Sequence, residues 1–189
     1  MRANRLWLNP AKTKVLWCLS PRRQHLIPTG AIHTNNTSEL PVHSVRDLGV
    51  YIEADTAMKS HVIMTVKACF TALRQIRSVR CSLPQHALLT LIRALMVSKV
   101  DYCNSELARI SGRHMDRLQS ILNAAAHLVV SVRKSEPITP LLRELHWLRV
   151  LERMLFRLCI LVYRYLQGTA LPYLAESLHK ITEVIACAA

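Results

Sequence analysis

MKSHVIMTVKACFTALRQIRSVR, residues 58–80, decides the fold. Met58, Val62, Val66, Cys69, Phe70, Leu73 and Ile76 recur at i, i+3/i+4 spacing, which predicts one long amphipathic helix over 58–80. Its cations are gathered as well. At about 100° per residue, Lys59, Lys67, Arg74 and Arg77 share roughly 80° of circumference, in a stripe flanking the apolar seam.

Downstream the same period continues. Pro84 suits the first turn of a helix running toward Ser98, and a shorter helical stretch follows through Leu107. Ser111-Gly112 breaks the pattern, and 113–132 predicts the next helix, with Leu118, Ile121, Leu122, Ala125, Leu128 and Val129 inward. Thr139-Pro140 reads as an N-cap and first-turn pair for a short helix through His146. Residues 150–166 form the last strong helical pattern, with Gly168 as its stop.

Upstream of residue 57 the pattern changes every few residues. Arg5 to Leu8 reads as a helix end halted by Asn9-Pro10. Lys14 to Leu19 predicts a strand covered on both faces, with Val15 and Trp17 opposite Leu16 and Cys18. Residues 20–39 are polar and Pro-containing, a loop or loose hairpin, and 40–52 predicts two short strands around Arg46-Asp47. Three or four short strands are too few for an independent sheet core. The expected class is therefore α+β, predominantly α: a small strand-containing piece over 1–57 and a helical bundle over 58–189.

Charge is more informative than length. The chain carries +13, and residues 1–100 hold 14 Lys/Arg against four Asp/Glu, whereas 101–189 hold 11 against eight. Nothing acidic precedes Glu39 or falls between Asp55 and Asp101. A one-sided field of this kind attracts polyanions, nucleic acid before acidic membrane. The six cysteines have no C-x-x-C spacing and read as scattered thiols of a reducing compartment. No secretory leader or membrane span is expected: the longest run free of formal charge, 118–132, includes Gln119, Asn123 and His127. A cytoplasmic or nuclear location follows, and a mitochondrial leader fits the acid-free start only loosely.

Catalytic patterns are missing. No nucleophile elbow, phosphate loop or dinucleotide fingerprint occurs. Asp47, Asp55, Asp101 and Asp116 are isolated, so no adjacent pair offers to hold two metals, and no cofactor is expected in this chain. Asp101 reads as a capping or surface acid, and His127 as a hydrogen-bonded core histidine.

Together these stretches resemble the C-terminal part of the reverse transcriptase domain of non-LTR (LINE-type) retrotransposons. LWLNPAKTKVLWC, residues 6–18, is similar to the helix–turn–strand after the catalytic aspartate hairpin of the palm. VRDLGVYIEAD, residues 45–55, resembles the hairpin that grips the primer end. ALLTLIRALMVSKVDYCNS, RLQSILNAAAHLV, ITPLLRELHWLRV and GTALPYLAESL resemble the helical thumb and its extension.

The resemblance implies that Lys12 matches a lysine acting as general acid on departing pyrophosphate, and that Leu48 and Gly49 match the primer-grip turn. The stripe Lys59, Lys67, Arg74 and Arg77 would then lie along an RNA–DNA or DNA duplex, making weak phosphate contacts. It further implies that the metal-binding aspartates, the fingers and the rest of the palm lie upstream of residue 1. Magnesium belongs to a complete polymerase, and this chain alone is expected to be inactive. Without that missing part, Val15, Trp17, Val50 and Ile52 are expected to leave an apolar patch open to self-association. Two other readings stay open: a basic nucleic-acid-binding module without catalysis, and an inert translated remnant of a mobile element.

Overall fold

The structure, a computed structural model, describes residues 9, 12–34, 37–103, 110–133 and 135–177. It is predominantly helical, with two short antiparallel hairpins preceding the helices. The first hairpin pairs β1 (Ile32–Thr34) with β2 (Thr37–Glu39), and the second pairs β3 (Ser44–Asp47) with β4 (Val50–Glu53).

The second hairpin turns later than its sequence suggests. Asp47 pairs with Val50, so Leu48 and Gly49 form the two-residue loop, both at positive φ (45° and 86°). Positive φ at both loop positions matches the right-handed twist of the strands. Leucine is a poor residue for this conformation, and Leu48 occupies it with its side chain 84% exposed. The tie that holds it comes from elsewhere: the Tyr102 hydroxyl donates to the Leu48 carbonyl at 2.8 Å.

Residues 14–19 do not form the expected strand. They make one isolated parallel bridge, Val15 with Pro41, and the Val42 N–H donates to the Val15 carbonyl at 2.8 Å. Proline has no N–H with which to continue a ladder, so the pairing stops there. Val15, Val50 and Ile52 are half-buried, and Val50 packs against the main core. Of the expected N-terminal patch, Trp17 alone is exposed, at 39%. The expected helix end over 5–8 lies outside the described residues.

Helix α1 (Lys59–Val79) follows. Its start has no capping side chain of its own, since Met58 sits in left-handed geometry. Glu53, at the end of β4, supplies the acceptor instead: its carboxylate takes the Lys59 N–H at 2.8 Å and the Ser60 hydroxyl at 2.7 Å. An acid at a helix N-terminus also complements the dipole, so one residue both caps α1 and fixes the hairpin to it.

Helix α2 (Gln85–Ile92) passes through a π-turn (Arg93–Val97) into α3 (Ser98–Asp101), with Pro84 at the cap rather than in the first turn. The predicted continuation of this stretch through Leu107 falls outside the described residues. Helix α4 (Gly112–Val130) begins one residue earlier than expected, because Ser111 is extended and takes the N-cap position. Short α5 (Ile138–Glu144) starts ahead of Thr139-Pro140, with Pro137 as its cap. Helix α6 (Val150–Leu166) and short α7 (Pro172–Ser177) complete the chain. The C-terminus of α6 closes in a Schellman turn: Gly168 (φ 67°) donates to Tyr165 and Thr169 to Arg164.

Helix α4 is central and packs against α1, α2, α5 and α6. All six positions predicted inward on it are buried, and Leu118, Ile121 and Leu122 are fully so. Val62 and Cys69 of α1, Ile92, Met96 and Val100 meet them in one core. Each large side chain buried there contributes about 1.5–3 kcal/mol of transfer free energy. Among the described residues no helix is long and apolar enough to cross a membrane.

Candidate nucleic-acid interface

The spacing on α1 separates two kinds of side chain. Val62, Cys69, Leu73 and Ile76 are buried, and Lys59, Lys67, Arg74 and Arg77 are exposed. Arg74 and Arg77 then meet residues the sequence did not bring to them. With Arg80, which follows the helix in a 3-10 turn, they line a groove of about 1030 Å3 between α1 and α4. Ser120, Asn123 and His127 line it from α4, and Glu136 is its one acid. None of the three arginines has an ion-pair partner among the described residues. Three guanidiniums along one wall without an ion-pair partner among the described residues concentrate positive charge there.

Lys59 stands apart. Its ammonium pairs with Asp55 at 3.2 Å, ahead of the rest of the stripe. Burial pushes the Asp55 carboxyl up, but the Ala57 N–H and Lys59 outweigh it and hold it below the usual carboxylate range. Lys59 is therefore partly neutralised, whereas Lys67 has no ion-pair partner among the described residues.

Lys12 is exposed in a turn in which the Lys12 and Thr13 N–H groups both donate to the Asn9 carbonyl at 3.1 Å. It does not line the arginine groove. Leu48 and Gly49 sit at the hairpin tip, and Gly49 opens onto a second cleft of about 520 Å3 with Arg46, Tyr51, Lys99 and Tyr102. Arg46 lies over the Tyr51 ring, 5.6 Å from its centre. The predicted site residues thus divide among three places: the Lys12 turn, the hairpin tip and the α1 stripe.

Asp47, Asp101 and Asp116 lie on β3, α3 and α4 and Asp55 in the turn before α1, and among the described residues no three His, Cys, Asp or Glu side chains are grouped to hold a metal ion. Asp101 is not the capping or surface acid its sequence suggests. It is buried and takes hydrogen bonds from Arg153 and Arg157 of α6. His61 is buried with both ring nitrogens unpartnered among the described residues, and burial pushes its pKa down. Burial likewise pushes the Cys69 thiol up to about 11, with Lys99 opposing, so this thiol is inert at neutral pH.

Sequence reasoning missed Arg80 and the α4 wall. Arg80 lies past the regular helix, where a helical wheel misplaces it. Asn123 carried no signal beyond polarity within an apolar helix, and His127, read as a hydrogen-bonded core histidine, has a buried Nδ1 with no hydrogen-bond partner among the described residues. The chain matches no family model, no curated protein and no solved structure.

Proposed function

We propose that this chain is the primer–template-contacting end of a LINE-type RNA-directed DNA polymerase, and that alone it binds nucleic acid weakly through phosphates without polymerising. One observation carries the binding half of this reading: Arg74, Arg77 and Arg80 share a groove wall with no carboxylate partner among the described residues, and Lys67 continues the stripe along α1. Unpaired cations in a row gain most from a polyanion, whose condensed counterions are released on contact. The polymerase half rests on the resemblance of residues 6–18 and 45–55, with Lys12 as candidate general acid of an incomplete site. Magnesium and the remaining palm and fingers are assigned to the complete enzyme, and the site of action is cytoplasmic or nuclear. A salt titration of binding to an RNA–DNA duplex, with and without Arg74 and Arg77, tests the reading. Equal, salt-insensitive behaviour of both proteins would favour an inert remnant.

A further inference from the structure

Phe70 was expected in the apolar seam of α1, yet it is 39% exposed. It stands at i relative to Arg74 at i+4 and Arg77 at i+7, and all three line the same groove. Beneath them the floor is apolar, from Leu73 and Leu128. Opposite, the Asn123 carbonyl oxygen is taken by the Gln119 amide at 2.8 Å, which leaves the Asn123 N–H2 to offer. His127 lines the same wall, and its Nδ1 has no hydrogen-bond partner among the described residues.

A duplex accounts for only half of these features. Its outward phosphates satisfy the arginines, but its stacked bases cannot reach an aromatic ring over an apolar floor. A nucleotide with its base unstacked offers both a charge for the rim and a π-face for the floor. The Glu136 carboxylate repels phosphate at its end of the groove, which puts the backbone on the arginine side and leaves Glu136 able to accept from a base amino group.

We propose that the groove between α1 and α4 is a site for unpaired nucleotides, with a base stacked on Phe70, phosphates on Arg74 and Arg77, and the base edge toward Asn123. This rests on the phosphate-binding reading above and names its substrate as single-stranded nucleic acid.

The test compares three ligands by fluorescence anisotropy at one salt concentration: a mixed-sequence single strand, the same strand in a duplex, and an abasic strand of equal charge. The full chain and its Phe70→Ala, Phe70→Trp and Arg74→Gln/Arg77→Gln variants are titrated with each. A base–aromatic stack predicts single-strand binding roughly five- to a hundredfold tighter than abasic binding. Phe70→Ala should remove that preference and leave duplex and abasic affinities unchanged, and Phe70→Trp should keep it. Equal affinity for normal and abasic strands, or a uniform loss across all three ligands in Phe70→Ala, would overturn the proposal. If charge-dependent binding survives that result and disappears in the double-arginine variant, the phosphate reading stands while the groove inference falls. If none of the ligands binds, both fall together.

Discussion

Asp101, at the end of α3, accepts a 2.8 Å hydrogen bond from Nε of Arg153, on α6, and a second from the same guanidinium. Arg157 adds a 2.9 Å bond to the carboxylate and a 3.1 Å bond to the Asp101 carbonyl. Val150 and Met154 are the buried residues of α6, so this acid and one apolar turn anchor the helix.

Asp101→Asn should therefore destabilise the fold by about 3 kcal/mol, because it leaves a guanidinium without its counter-charge at a mostly buried site. Arg157→Ala should cost only about 1 kcal/mol, since that side chain is half exposed and Arg153 remains. Urea denaturation measures both. An Asp101→Asn midpoint equal to wild type would show that the pair contributes nothing.

Helix α6 also carries the largest apolar exposure among the described residues. Leu151, Leu155, Phe156, Val162, Tyr163 and Leu166 are each more than half exposed. Met154→Ala should cost about 2–5 kcal/mol, and Leu155→Lys should stay within about 0.5 kcal/mol of wild type. The patch should also drive self-association. Sedimentation velocity should show larger species for wild type and a shift toward monomer for Leu155→Lys. No difference between the two would move the adhesive surface elsewhere.

The buried, unpartnered His61 predicts a pH dependence with a definite sign. Its folded pKa lies below the ordinary 6.5, so the unfolded chain binds more protons in the interval between them. Its contribution is complete above about pH 6.5 and is lost as pH falls toward the folded value. His61→Leu should flatten this part of the profile and raise stability at neutral pH by about 1–2 kcal/mol, since two unpaired buried nitrogens are removed. An unchanged slope in the variant would contradict this.

The parts of the fold that follow one helical period were legible in residues 58–80 and 112–130. Phe70 fits the seam by spacing yet lies on its edge, because the wheel does not show where the neighbouring helix ends its cover. Residue patterning alone puts the second turn at Arg46-Asp47, whereas the resemblance puts it at Leu48–Gly49, where it lies; a leucine at positive φ has no local signal, and its partner Tyr102 lies 54 residues away. Asp101 was misread for the same reason, with Arg153 and Arg157 more than fifty positions downstream. Of the candidate site, one wall was legible as the Arg74–Arg77 spacing. The other wall came only with the packing of α4 on α1.

Purified protein should incorporate no nucleotide on any primer–template, because its isolated aspartates offer no adjacent pair for two metals and Asp101 is engaged by Arg153 and Arg157. Lys12→Ala should leave nucleic-acid affinity unchanged, as its turn does not line the arginine groove. Incorporation that persists after contaminating polymerases are excluded would contradict the first expectation. A severalfold loss of affinity in Lys12→Ala would contradict the second.

The most direct test of the central claim is the slope of log K against log salt for an RNA–DNA duplex. Neutralisation of about three to four phosphates by Lys67, Arg74, Arg77 and Arg80 predicts a slope near −3 for the wild type. Arg74→Gln/Arg77→Gln should make it shallower by about two with the melting temperature preserved, since both side chains are exposed. A double variant that folds and retains the wild-type slope would contradict the assignment of this groove as the phosphate-binding surface.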